Sequence, residues 1–74
     1  MINLVLADDH ELILDGISNL IKEEKDIKIV ETCNNGIQVL ETLPKYKVDV
    51  LLLDLDMPEM NGLECAIEVK KRYI

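Results

Sequence analysis

The sequence predicts an α/β domain built on a small parallel sheet. Two observations carry this. Three strand-like apolar runs alternate with three stretches of helical periodicity along 74 residues, the pattern of linked βαβ units. Two of those runs, Ile2-Asn3-Leu4-Val5-Leu6-Ala7 and Val48-Asp49-Val50-Leu51-Leu52-Leu53, stop abruptly at carboxylates, Asp8-Asp9 and Asp54-Leu55-Asp56. Buried runs that end in acids are how an open α/β sheet presents ligand-binding groups at its carboxyl edge.

Taken in order, residues 2–7 form the first strand and residues 11–24 the first helix, with Ile13, Ile17, Leu20 and Ile21 spaced along one face. Gly16 inside that helix costs about 1 kcal/mol relative to alanine, which implies a packing reason for its presence. Residues 27–32 alternate apolar and polar side chains and are rich in β-branched types, so they form a strand at an edge. Asn34-Asn35-Gly36 signals a turn into a short helix carrying Ile37, Leu40 and Leu43 on one stripe and stopping near Pro44. The unbroken Val/Leu run of residues 48–53 implies a strand buried on both faces. From Gly62 to about Arg72 a third helix aligns Leu63, Ala66, Ile67 and Lys70, and its Lys70-Lys71-Arg72 end sets positive charge against the helix dipole.

The expected fold is therefore βαβαβα with right-handed crossovers and strand order 2-1-3. That order puts a topological switch point between strands one and three, where the acids lie. One conflict follows. In this order strand three is an edge, yet it reads as central, and a long apolar edge invites further pairing. The expectation is that more strands follow residue 74 and that the chain self-associates or swaps segments through the strand-three edge and its uncovered core.

Composition narrows the function classes. Hydrophobic residues make up 49% and charged residues 31%, as in globular domains. The net charge of −7 argues against a nucleic-acid surface on this segment. No apolar run approaches the roughly 20 residues that span a bilayer. Met1-Ile2-Asn3 lacks the basic region of a signal peptide, so a cytoplasmic location is expected. Cys33 and Cys65 are too few and too far apart for a metal knuckle and are expected to stay reduced as small hydrophobes. Met57 and Met60 read as gap-filling packing, and His10 as a partly exposed residue at a helix start.

With both strand ends in one sheet, Asp8, Asp9, Asp54 and Asp56 converge at one edge. Like charges in close contact raise each other's pKa, so such a cluster calls for a divalent cation with oxygen ligands.

Asp8-Asp9 after strand one, with Asp54-Leu55-Asp56-Met57-Pro58-Glu59-Met60-Asn61-Gly62 after strand three, resembles the receiver domain of two-component response regulators. The resemblance covers the whole chain and implies a flavodoxin-like doubly wound fold. Asp9-His10-Glu11 and Leu14-Asp15-Gly16-Ile17 look most like the NarL/LuxR-type branch. By resemblance Asp54 is the phosphoacceptor, taking a phosphoryl group from a phosphohistidine on a sensor histidine kinase. Asp8 and Asp9 hold Mg2+, Asp9 as the direct ligand, and Asp56 contributes its backbone carbonyl. Pro58 to Gly62 shapes the loop over the site. A third acid at Asp56, a position often neutral in the family, is a mild departure. A whole receiver has two more strands, with a Ser or Thr after strand four and a Lys after strand five, and these, like an output DNA-binding domain, would fall beyond residue 74. The chain is thus expected to be the N-terminal part of one receiver domain, 1–74, that controls transcription through a missing output domain.

The chemistry is consistent with this assignment. Phosphoryl transfer is mainly positioning plus charge neutralisation, so an Asp nucleophile facing an anionic phosphoryl group needs a bridging hard cation. Mg2+ keeps several waters and uses one or two carboxylates, which suits Asp9, Asp54 and a water-mediated Asp8. A competing enzyme reading exists. Leu51-Leu52-Leu53-Asp54-Leu55-Asp56 also resembles the first motif of haloacid-dehalogenase-type phosphohydrolases, with Asp54 as nucleophile and Asp56 as acid/base. That motif continues with Thr or Val where this chain has Met57-Pro58, and it leaves Asp8-Asp9 without a role.

Overall fold

The structure, a computed structural model, describes residues 1–73. Its elements are β1 (Ile2–Ala7), α1 (Glu11–Ile21), β2 (Ile27–Cys33), α2 (Gly36–Thr42) with a 3₁₀ turn at Leu43–Lys45, β3 (Val50–Leu53) and α3 (Gly62–Tyr73). The three strands form one parallel sheet in the order β2-β1-β3. The expected topology is therefore present.

β1 is the central strand because Leu4, Val5, Leu6 and Ala7 are buried on both faces. It runs in unbroken register with β3, from Leu4 opposite Val50 to Ala7 opposite Leu53. Against β2 the register slips once: Leu4 pairs with Ile29 and Val5 with Glu31, leaving Val30 as an extra residue in a bulge. All three strands still finish level, with Ala7 opposite both Cys33 and Leu53.

Val5 and Ala7 face a core made with Cys33, Val39, Met57 and Cys65, on the side covered by α2 and α3. Strand order 2-1-3 reverses the direction of the second crossover, so right-handedness puts α1 on the other face, where Leu4 and Leu6 point. Cys33 and Cys65 are both buried and unbridged, as expected, and burial pushes both thiols above their ordinary pKa. Met57 is buried and Met60 packs against the same core, again as expected. Among the described residues no helix is long and apolar enough to cross a membrane.

The helix faces differ from those the periodicity suggested. In α1 the inward stripe is Leu14, Ile17, Ser18 and Ile21, while Leu20 is 74% exposed and Ile13 also faces water. α1 also stops at Ile21, because the charged run Lys22 to Asp26 offers nothing to bury and closes as a turn, Glu24 N–H to Ile21 C=O at 2.8 Å. Gly16 has no packing role: a Cβ there would meet nothing within 4 Å. In α2 the inward residues are Gly36, Val39 and Thr42 rather than Ile37. In α3 they are Gly62, Cys65 and Val69, while Leu63 and Ile67 are exposed. Small residues win the inward positions of α3 because they permit close approach to the loop beneath.

β3 departs from its expectation of burial on both faces. Leu51 and Leu53 pack on the core, but Val50 and Leu52 are exposed on the other face. The strand also begins at Val50 rather than Val48. Asp49 supplies the reason, since its side-chain Oδ2 accepts the Asn3 N–H at 2.8 Å and so takes a ladder position of the backbone. Asn3 Nδ2 donates to the Lys47 carbonyl at 2.8 Å and completes the clamp.

Candidate functional site

The level strand ends decide where the acids go. Asp8 N–H donates to the Cys33 carbonyl at 3.0 Å and Asp54 N–H to the Ala7 carbonyl at 2.9 Å. The hydrogen-bonded ladder thus delivers Asp8 and Asp54 side by side just past the sheet. Asp9, one residue on, lies before the first turn of α1, whose N-cap is His10.

The carboxylates of Asp8, Asp9 and Asp54 and the imidazole of His10 each offer a donor atom, and these atoms all lie within 4.8 Å of one another. Asp8 is buried. Its Oδ1 accepts the His10 backbone N–H at 2.9 Å and lies 2.7 Å from His10 Nδ1. Nδ1 is also 3.1 Å from Asp9 Oδ1 and 3.7 Å from Asp54 Oδ2. The other oxygen of Asp54, Oδ1, accepts the Asp56 N–H at 3.3 Å, which turns the chain back over the site.

Burial alone would raise the Asp8 pKa, but the side-chain and backbone hydrogen bonds from His10 outweigh it and hold the carboxyl below its ordinary value. His10 moves the other way: its hydrogen bond to Asp8, then the charge of Asp9, raise the imidazole above its ordinary value. Sequence reasoning assigned His10 no part in the site. Its position directly after Asp8-Asp9 at the start of a helix was the available signal, because an N-cap side chain can turn back towards the residues preceding it. Of the expected site residues, Asp8, Asp9 and Asp54 are brought together. The Asp56 carboxylate is exposed and stands outside the cluster, so three of the four expected acids converge rather than all four.

The loop from Asp54 to Gly62 is held at several points. Gly62 N–H donates to the Leu55 carbonyl at 3.1 Å, and Gly36 N–H, from the start of α2, donates to the Met60 carbonyl at 2.9 Å. A Cβ on Gly36 would come within 2.7 Å of Met60 Cγ, so glycine is required there for space. Asn61 and Glu64 form a reciprocal cap on α3, Glu64 N–H to Asn61 Oδ1 at 2.9 Å and Asn61 N–H to Glu64 Oε1 at 3.1 Å. Glu59 takes a φ of 65°, the left-handed region that turns the loop sharply after Pro58.

Three hard carboxylate oxygens around one point suit a small divalent cation. In an octahedron with bonds of about 2.1 Å, neighbouring donors lie about 3.0 Å apart. Asp8, Asp9 and Asp54 are the residues that would hold such an ion.

Comparison with known proteins agrees. The response regulator receiver domain family matches residues 4–73. The chain is 38% identical over 71 residues to the nitrate/nitrite response regulator protein NarL of Escherichia coli K12, covering 96% of this chain and 33% of NarL. It is 33% identical over 72 residues to the transcriptional regulatory protein DegU of Brevibacillus brevis, covering 97% of this chain and 30% of DegU. The response regulator domain of Thermotoga maritima CheB superposes with a TM-score of 0.93 at 26% identity, over 99% of this chain and 55% of that one. The chain spans about a third of the length of the two curated relatives. With its parallel 2-1-3 sheet, its paired strand-end acids and this match along nearly all its length, the chain belongs to the response regulator receiver domain family, with relatives of the NarL/LuxR type.

Proposed function

We propose that this chain is the phosphoacceptor part of a cytoplasmic two-component phosphorelay. Asp54 receives a phosphoryl group from a phosphohistidine of a sensor histidine kinase, assisted by Mg2+. The observation that carries this reading is the convergence of Asp8, Asp9 and Asp54 at the ends of adjacent parallel strands. An Asp54 carboxylate oxygen forms the new bond to phosphorus as the phosphorus–nitrogen bond breaks, and the imidazole nitrogen of the kinase keeps that electron pair. Asp8 and Asp9 would hold a cation, which would supply the positive charge needed to offset that of the nucleophile and phosphoryl group. The Asp56 carbonyl would be a further ligand, its backbone held by the turn that its own N–H makes with Asp54. Control of transcription is suggested by the names of the curated relatives, of whose length this chain spans about a third.

The exposed Asp56 carboxylate, outside the acidic cluster, speaks against the phosphohydrolase alternative, which needs it as acid/base. Incubation with Mg2+ and acetyl phosphate, followed by intact-mass measurement, tests the acceptor role. A gain of one phosphoryl group by the native chain and none by D54N is the expected result. Equal labelling of D54N, or catalytic turnover of a phosphate ester that D56N abolishes, would refute it.

A further inference from the structure

We propose that Asn61-Gly62 is a self-modification site: when the loop after Asp54 opens, Asn61 converts to aspartate and isoaspartate, and the isoaspartate form unseats the Asp54 segment.

The chemistry comes from the pair itself. An asparagine followed by glycine cyclises readily, because the unhindered backbone nitrogen of the glycine reaches the side-chain carbonyl. That nitrogen gives up its proton and bonds to Asn61 Cγ, the side-chain amide leaves as ammonia, and a cyclic imide forms. Water then opens the ring. Breaking the bond to Cγ yields aspartate. Breaking the bond to the main-chain carbonyl carbon yields isoaspartate, whose backbone runs on through the side chain and is longer by a carbon. Water is consumed and ammonia released, with no other reactant.

The fold demands this pair and also restrains it. Gly62 is required for space, since an added Cβ would lie 2.8 Å from Leu55 Cα. Asn61 is required as a cap, its Oδ1 accepting the Glu64 N–H at 2.9 Å. In the closed loop both reacting groups are held by other partners, because Gly62 N–H donates to the Leu55 carbonyl at 3.1 Å while Glu64 holds the Asn61 side chain. Reaction therefore waits on local opening. Asn35-Gly36 is the same pair in a tighter setting. Asn35 is only 9% exposed, its Oδ1 accepts the Gln38 N–H at 2.8 Å, and Gly36 N–H is bound to the Met60 carbonyl at 2.9 Å. Asn61 is half-buried and both hydrogen bonds of its cap lie at the surface, so it opens first. Aspartate keeps the capping oxygen and suits a helix N-terminus. Isoaspartate loses the cap and lengthens the chain where Gly62 already touches the Asp54 backbone, so the acceptor segment must shift.

The conversion stands apart from the acceptor reading, and only its effect on labelling rests on that reading. The test incubates the native chain, E64A and N61D in mildly alkaline buffer, folded and in urea, with peptide mapping that separates aspartate from isoaspartate at each asparagine. In urea Asn35 and Asn61 should convert at similar rates. Folding should slow Asn61 by about tenfold or more, and Asn35 further, since only opened molecules react. E64A removes half of the reciprocal cap, so it should speed Asn61 in the folded chain by about threefold or more and leave Asn35 unchanged. The purified isoaspartate form should melt at a lower temperature than the native chain and lose acetyl phosphate labelling, while N61D keeps both. Conversion of Asn61 as fast folded as unfolded, none in the folded chain, or Asn35 ahead of Asn61 would overturn the inference. So would an isoaspartate form with native melting. Conversion in the expected order in a native chain that never labels would uphold this site and count against the acceptor reading alone.

Discussion

Replacing Gly62 by alanine probes the packing that holds the acceptor carboxylate in place. A Cβ on Gly62 would lie 2.8 Å from both the Asp54 carbonyl carbon and Leu55 Cα, and would press into the Asp54 carbonyl oxygen. Carbon atoms rest about 3.5–4.0 Å apart, so α3 and the acceptor segment must separate by about 1 Å. Backbone on both sides resists this: Asp54 N–H is bound to Ala7 and Gly62 N–H to Leu55. Overpacking of this kind costs about 1–3 kcal/mol, and in a domain of this size each kcal/mol moves Tm by about 4–8 °C. A shift of about 1 Å at a reacting group can also cost about a hundredfold in rate. Thermal unfolding by circular dichroism and the initial rate of acetyl phosphate labelling measure the two effects. A G62A protein with native Tm and native labelling rate would refute this account of the loop.

Gly16 makes the opposite control, since an added Cβ meets nothing within 4 Å; G16A should raise stability by about 0.5–1 kcal/mol through helix propensity alone, and an unchanged or lowered Tm would contradict its placement. His10 should titrate above its ordinary 6.5 in metal-free protein because of Asp8 and Asp9, as NMR of the lone imidazole can follow, and D8N should lower that value. Because the folded-state pKa is raised, this contribution to stability is complete below pH 6.5 and lost as pH rises through the raised value. Asp8, with a lowered folded-state pKa, contributes above its ordinary 3.8 and loses this as pH falls through the lowered value. The β3 edge and its exposed Val50 and Leu52 should drive self-association of this chain, to be reduced in L52K; light scattering that finds a stable monomer at high concentration would refute that expectation.

Strand positions, strand order and the three clustered acids were legible because run length and strand-end chemistry are local signals that tertiary contacts here reinforce. Helix phase was less so. α1 has apolar residues at Leu12, Ile13, Leu14, Ile17, Leu20 and Ile21, more than one stripe can hold, and only contact with the sheet selects Leu14 over Ile13 and Leu20. In α3 the large residues Leu63 and Ile67 lost to Gly62 and Cys65, because the tight approach to the acceptor loop rewards small volume over hydrophobic area. Similarly, the Val/Leu run of residues 48–53 announced an apolar strand but not the Asp49–Asn3 clamp that shortens it. The turn of His10 onto the acids depends on side-chain direction, which its place after Asp8-Asp9 at a helix start permits but does not fix.

The bulge at Val30 places the irregular step of the described sheet in the edge strand β2, away from the β1–β3 seam. Because of that step, Val30 and Cys33 both reach the α2/α3 core although their numbers differ in parity. Deleting Val30 would join the Leu4–Ile29 and Val5–Glu31 pairs without a step, so Cys33 would stay opposite Ala7 and the lost contact would be that of Val30 with the core. A change of one residue in this strand is therefore absorbed at the bulge, and the spacing of the acids is insulated from it.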